Sequence, residues 1–350
     1  MIYGATGYTG LLIAERAAEE GLKPVLAGRD ELKLRAIAGR LGLPFRVFPL
    51  DDSHAAREAV AGMALVLHCA GPFSATSRPM LDACLAGHAH YLDITGEIDV
   101  FEACYARDAE ARSRGIVVMP GVGFDVVPTD CLAALLAQRL PTATTLELGI
   151  ASLGKISQGT AKSAIEGLPK GVLARRSGRI TQIAPLVRTI NFGGSIRSVM
   201  AAPWGDVASA YRTTGIADIT VYMAFPPALI RASQLLNRAM PVLGFAPVQR
   251  ALKSLIERRV SPPTAEERAR GRSLVWGRVS DDAQRSVEGL LRCGEGYEFT
   301  VASALAIARR ILAGGVSAGA TTPARALGGD FVRTLPDVSV TLPPSTPADA

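Results

Sequence analysis

Met1-Ile-Tyr-Gly4-Ala5-Thr6-Gly7-Tyr8-Thr9-Gly10, running without a break into Leu11-Leu12-Ile13-Ala14-Glu15-Arg16-Ala17, is the stretch on which the fold turns. It reads as strand, glycine turn and helix. Glycines at such a junction let the backbone turn sharply and approach a ligand closely. The amides of the first helical turn have no intrahelical acceptor and carry the positive end of the helix dipole, so an anion fits there, usually a dinucleotide pyrophosphate. The spacing is GxxGxxG, with Ala5 where the stricter GxGxxG has its first glycine. Context strengthens it, because a helix follows at once and a second strand comes at the right distance. Only three residues precede Gly4, so the first strand is expected to be a stub beside the usual five or six.

Outward from this turn, short apolar runs alternate with amphipathic segments to about residue 130, which predicts βαβ units on a mostly parallel sheet. Strands are expected at Pro24 to Ala27, Phe45 to Phe48, Ala64 to Cys69, Tyr91 to Ile94 and Ile116 to Met119. Helices are expected near Glu31 to Leu41, Ala55 to Ala61, Pro79 to Ala86, Val100 to Arg114 and Thr129 to Gln138. The fold class is α/β, an N-terminal doubly wound Rossmann sheet. Beyond Pro141 the periodicity changes. Leu146 to Ile150, Ile180 to Ile190, Ser198 to Met200, Ile219 to Phe225, Leu274 to Val279 and Ser286 to Cys293 read as strands, with a hairpin signal at Ser177-Gly178. A helical stretch, Pro227 to Arg259, lies among them. These elements predict a second α+β domain on a mixed or antiparallel sheet. The expected domains are 1–130 and 131–334, with a helix over 298–314 packing back onto the first. The Pro, Ser and Thr-rich tail, 335–350, is expected to be poorly ordered.

Composition narrows the function classes. At 350 residues and 48% hydrophobic content the chain can bury two cores. Its most lipophilic region, Ile219 to Phe245, is interrupted by Arg231 and Arg238, which argues against a membrane span. No charged and then apolar leader is visible, so the cytoplasm is the expected compartment. Five cysteines without a CxxC pair suggest buried reduced thiols, not a disulfide framework or a metal knuckle. His88-Ala-His90 has no third ligand at suitable spacing, so no metal is expected. The net charge of +6 is uneven: residues 1–130 hold 12 Lys+Arg against 17 Asp+Glu, and the remainder 26 against 15. The positive half favours an acidic partner: an anionic substrate, an acidic carrier protein or a peripheral membrane surface. Nucleic acid is not expected, because aromatics do not interleave with the basic residues. A homodimer is compatible with this surface.

The second strand ends in Leu26-Ala27-Gly28-Arg29-Asp30. An NAD site places a carboxylate there for the ribose 2′-hydroxyl, and an NADP site an Arg for the 2′-phosphate. Arg29, with Lys33 one helical turn later, favours NADP; Asp30 is the residue that would make NAD possible. Three more loops follow the carboxyl ends of strands, where this fold binds ligands. They are Cys69-Ala70-Gly71-Pro72-Phe73, Asp93-Ile94-Thr95-Gly96-Glu97 and Pro120-Gly121-Val122-Gly123-Phe124-Asp125. With Gly4, Ala5, Thr6, Gly7, Tyr8, Thr9, Gly10, Arg29 and Lys33, the first of these loops and Thr95, Gly96 and Glu97 form the expected cofactor groove.

Tyr3-Gly-Ala-Thr-Gly-Tyr-Thr-Gly10, Cys69-Ala-Gly-Pro-Phe73, Tyr91-Leu-Asp-Ile-Thr-Gly-Glu97 and Gly123-Phe-Asp-Val-Val-Pro-Thr-Asp130 resemble the saccharopine dehydrogenase-like oxidoreductases, most closely a short bacterial branch that includes the trans-acting enoyl reductases. The likeness continues in Gly159-Thr160-Ala-Lys-Ser163, Pro203-Trp-Gly-Asp-Val207, Tyr211-Arg-Thr-Thr-Gly215 and Gly271-Arg-Ser-Leu-Val-Trp-Gly277. The resemblance implies an NAD(P)-dependent oxidoreductase and leaves the substrate open between C–N bond chemistry and reduction of a lipid enoyl group. The apolar stretch from Ile219 to Leu243, with Met223, Phe225, Met240 and Leu243, suits a hydrophobic, lipid-like enoyl or keto substrate, and core packing is its other reading. Hydride delivery leaves negative charge that must be protonated or stabilised. Tyr211, Lys162 and Asp125 are the candidates for that role. A non-catalytic NADP-binding sensor or scaffold is the reading of a different class.

Overall fold

The computed structural model describes residues 1–152, 159, 161, 171–236 and 245–343. The chain divides into two compact units, 1–127 with 297–326, and 128–296 with 327–350.

The first unit opens with β1 (Ile2–Tyr3), α1 (Tyr8–Glu19), β2 (Leu26–Gly28), α2 (Glu31–Leu41), β3 (Phe45–Val47) and α3 (Ser53–Val60). It continues through β4 (Leu65–His68), α4 (Phe73–Gly87), β5 (His90–Asp93), α5 (Ile98–Tyr105), α6 (Asp108–Arg114) and β6 (Val117–Met119). The first strand is a two-residue stub, as its sequence predicts. Strand pairing is parallel throughout, in the order β3-β2-β1-β4-β5-β6, closed at the β6 edge by Gly319–Ala320 from late in the chain. Leu65 to His68 are all buried, as a strand covered by helices on both faces requires. In α1 the buried residues Gly10, Ile13, Ala14 and Ala17 recur at helical spacing and form the stripe that packs inward.

Two helices depart from expectation. The helix placed at Pro79 to Ala86 begins at Phe73, with Pro79 inside it. Its start is set by a distant carboxylate: Phe73 N and Ser74 N donate to Glu97 at 2.9 and 2.7 Å. The single helix expected over Val100 to Arg114 is two, parted at Arg107, whose guanidinium is held by Asp82 and Glu110.

The second unit follows with α7 (Val127–Arg139), β7 (Thr145–Ser152), β8 (Val172–Arg176), β9 (Arg179–Ile183), β10 (Val187–Asn191), β11 (Ile196–Ala201), α8 (Asp206–Thr214) and β12 (Asp218–Ala224). Then come α9 (Pro227–Leu236), α10 (Ala246–Arg259), α11 (Ala265–Arg270), β13 (Arg272–Ser280) and β14 (Ser286–Gly294). Helix α12 (Gly296–Leu312) and strand β15 (Gly319–Ala320) return the chain to the first unit, and β16 (Ser339–Thr341) ends the described chain in the second. The sheet is mixed, in the order β10-β11-β12-β7-β13-β14-β16, with only β12 and β7 parallel along that path.

Strand β10 laps back over the sheet: a Cβ on Gly149 would lie 2.9 Å from Ile190, and Arg292 donates to the Gly193 carbonyl at 3.0 Å. The enclosed core holds Ala151, Ile190, Phe192, Val199, Ala201, Tyr222 and Trp276. On the other face, Leu132 and Leu136 of α7 press against Gly277 and Gly289. The strand expected over Ile180 to Ile190 is two, broken around Pro185, which cannot donate to a ladder. Ser177-Gly178 forms its hairpin turn, both residues with positive φ. The tail is corrected: Ser339–Thr341 pairs with β14, because buried Leu335 and the ladder tie it down, while 344–350 lie outside the described residues. Among the described residues no helix is long and apolar enough to cross a membrane, and all five cysteines are free.

Candidate functional site

In the first unit the chain leaves β1 and β4, adjacent strands from which it departs to opposite sides, through Gly4–Gly10 and Cys69–Phe73. Ligands bind at such a switch point, outside the carboxyl ends of the strands. Gly4 has φ +85°, and a Cβ there would stand 2.8 Å from Ala70 N. One on Gly10 would meet the Gly4 carbonyl oxygen at 2.3 Å, so both glycines are required by close backbone approach. Gly4 N and Ala5 N are spent on Ala27 O at 2.8 and 3.2 Å, and Gly7 N on Gly4 O at 2.9 Å. Gly7 is the extended N-cap of α1, which has no side-chain cap and no acidic residue in its first turn. The half-buried Thr6 and Thr9 flank this terminus, and the Tyr8 ring packs edge-on against Tyr297 at 5.0 Å.

The neighbouring helices are built differently. Asp30 caps α2, accepting from Lys33 N at 3.1 Å, and pairs with Lys33 Nζ at 3.0 Å. The Lys33 amide, then its ammonium, hold the Asp30 carboxyl below the usual range. Asp52 caps α3 through His54 N and Ala55 N. Glu97 caps α4. Arg29 is exposed just past β2 and makes no hydrogen bond or ion pair among the described residues. Thus Arg29 is available to an incoming anion, whereas Lys33 and the dissenting Asp30 engage each other.

The three remaining loops are tied together by carboxylates of the second and third. Asp93, fully buried, accepts from Tyr91 Oη at 2.7 Å, Thr95 N at 3.0 Å and Gly121 N at 2.9 Å. Burial outweighs those bonds and pushes its carboxyl up to about 6. Glu97 joins its loop to Phe73 and Ser74, and Thr95 Oγ1 accepts from Glu97 N at 3.0 Å. Asp125, half-buried, lies over Gly96, where a Cβ would stand 3.0 Å from its Oδ2. Burial pushes this carboxyl up to about 7, so it holds a proton near neutrality. Cys69 is no nucleophile, since burial raises its thiol far above neutrality.

Reading the sequence alone misses the support beneath the Cys69–Phe73 loop. His68 is buried with its ring against Tyr3, Phe73 and Tyr91. Its Nε2 lies 3.0 Å from Thr76 Oγ1, which donates toward Ala70 O at 2.6 Å. The one available signal is His68 standing directly before the loop at the end of an apolar run. Of the candidate catalytic residues, Asp125 lies at the loop cluster of the first unit. Tyr211 belongs to the second unit, where the guanidinium of buried Arg175 stacks 4.3 Å over its ring and its hydroxyl faces Gly178. Lys162, with most of 159–163, lies outside the described residues. No group of three His, Cys, Asp or Glu able to hold a metal exists among the described residues.

A glycine turn at the switch point, a helix terminus without its own acceptor and a free arginine past β2 define a dinucleotide-binding domain that fits NADP. Residues 1–119 match the family model of the saccharopine dehydrogenase NADP binding domain. It is 33% identical over 161 residues to a trans-acting enoyl reductase of Mycobacterium leprae, 42% of this chain and 37% of that protein. It is 31% identical over 219 residues to a saccharopine dehydrogenase-like oxidoreductase of Mus musculus, 54% of this chain and 51% of that protein. The chain thus spans about half or less of the length of these relatives. Its fold is similar to that of apo saccharopine dehydrogenase (L-Glu forming) from Saccharomyces cerevisiae, with a TM-score of 0.67 at 10% identity over 97% of this chain and 98% of the other.

Proposed function

We propose that the protein is an NADPH-dependent reductase acting on a hydrophobic, lipid-like enoyl or keto substrate in the cytoplasm. When bound, the cofactor supplies the hydride. Gly4 to Gly10 would hold its pyrophosphate at the bare start of α1, Arg29 would take the 2′-phosphate, and Cys69 to Phe73 with Thr95 to Glu97 would line the groove beyond. The observation that carries the reading is Asp125, a carboxyl held protonated near neutral pH at the loops of that same groove. Reduction leaves an anion on the substrate, and a carboxylic acid with a pKa near the working pH is suited to protonate it. The enoyl or keto class is supported by the names of the similar mycobacterial proteins and by the apolar run in the second unit. Tyr211 and Lys162 are the further candidates for stabilising the developing charge.

The test is turnover of NADPH with enoyl and keto lipids, followed by the absorbance of the reduced nicotinamide. Asp125→Asn is expected to lower kcat about 10²- to 10⁴-fold and leave NADPH affinity unchanged. The wild-type rate should fall as pH rises above about 7, because the donor loses its proton there. Unchanged turnover in Asp125→Asn would move the role to Tyr211 or Lys162. If Tyr211→Phe and Lys162→Ala are equally silent and no substrate is reduced, a non-catalytic NADP-binding role replaces the reductase.

The same proton has a stability consequence. The folded pKa of Asp125 lies above its ordinary 3.8, so from about pH 4 to 7 the folded state keeps a proton that the unfolded state has released. Stability is therefore lost as pH rises through that window, and Asp125→Asn should flatten the slope.

A further inference from the structure

The outer stripe of α10 is a feature that the cofactor site does not use. Val248, Leu252 and Leu255 recur at spacings of three and four and so share one helix face, with Phe245 as the extended N-cap before them, while Ile256, one residue round from Leu255, is buried. An amphipathic helix normally buries its apolar stripe, yet Phe245 is 62% and Leu255 52% exposed, with Val248 and Leu252 half-buried. Arg258 and Arg259 fall on the same face one turn past Leu255. Both are exposed and make no hydrogen bond or ion pair among the described residues. The preceding helix, α9, repeats the combination, with Leu229 52% exposed and Arg231 exposed two residues on. Both helices belong to the half of the chain that carries the excess of positive charge.

We propose that the α10 face is an interfacial anchor that lies on an anionic phospholipid surface. Large apolar side chains bordered by arginines are what a helix needs to sit at the boundary of headgroups and acyl chains, and α10 is too short to span a bilayer. The exposed guanidiniums of Arg258 and Arg259 supply the charge complementarity: each basic group near an anionic leaflet adds about 1 kcal/mol of attraction, and each apolar side chain adds its burial. The inference does not depend on the chemistry proposed above.

Co-sedimentation of the full chain with phosphatidylcholine vesicles, with and without phosphatidylglycerol, tests it. Binding is expected to the anionic vesicles, to weaken with salt and to be negligible on neutral ones. Replacing Arg258 and Arg259 together with alanine should lower the partition coefficient about 30-fold, fivefold for each charge. Phe245→Ser with Leu255→Ser should lower it at least as far, with NADPH binding serving as the check that the variants are folded. Absence of binding to either vesicle overturns the proposal, as does binding that ignores lipid charge and both variant pairs. Lack of vesicle binding alongside salt-sensitive capture of an acidic carrier protein by the same face would also overturn it.

Discussion

Helices α1 and α2 leave neighbouring parallel strands of one sheet and begin in opposite ways. At α2 the cap is Asp30, which takes the Lys33 amide and is itself held by the Lys33 ammonium. At α1 the cap is Gly7, with no side-chain acceptor and no acid in the first turn. Asp52 at α3 and Glu97 at α4 follow the pattern of α2. A helix terminus furnished with its own carboxylate is structural, whereas one that lacks it keeps its dipole and amides for an external anion. The same difference bears on the proposed cofactor site: Asp30 is already engaged by α2, and Arg29 beside it makes no hydrogen bond or ion pair among the described residues.

The comparison breaks most severely at the glycines. Gly10→Ala puts a Cβ against the Gly4 carbonyl, and NADPH binding by fluorescence titration should weaken about 100-fold, at the upper end of the about 1–3 kcal/mol that overpacking costs. Gly7→Asp would turn α1 into a helix of the α2 kind, since Gly7 already has the extended conformation of a cap. A gain of about 1 kcal/mol in stability from the new cap should come with a loss of about 30-fold in NADPH affinity, as a fixed carboxylate displaces the anion. The pair of measurements sharpens the contrast, and a variant that keeps its affinity would show the terminus is not the phosphate site.

Arg29→Ala should weaken NADPH about tenfold, near the lower end for a hydrogen bond to a charged group, and leave NADH unchanged. Equal losses for the two cofactors would remove Arg29 from the 2′-phosphate. The smallest effect belongs to Asp30→Ala. Loss of the cap should cost about 1 kcal/mol in thermal or denaturant unfolding, while Asp30→Asn, which can still cap, restores most of it. A gain of NADH affinity in Asp30→Ala would contradict the structural role assigned to this carboxylate.

Local grammar made the first unit readable. The Gly4 to Gly10 turn, the Asp30 cap with Gly42 in left-handed conformation and the period of α1 are short-range features, and Glu31–Leu41 is bounded by them on both sides. The second unit was less legible. Strands β9 and β10 leave nearly all their residues exposed or half-buried, so little apolar patterning marks them, and α8 follows Gly205 with no capping side chain to announce it. The early start of α4 could not be read locally, because its cap comes from Glu97, 24 residues on.

By itself the sequence determined the glycine turn and the uncapped start of α1, since glycine placement and a missing cap act within one turn of helix. It also determined the parallel sheet, through apolar runs long enough to be buried on both faces. Only the tertiary structure decided what the loop carboxylates meet. Asp93, Glu97 and Asp125 are alike as sequence, yet the folded chain brings the first two against amides of distant loops and buries Asp125 over Gly96 with its proton retained near neutrality. The reason is physical: a cap needs only neighbours along the chain, while a pKa depends on how much water and charge the whole fold leaves around a group.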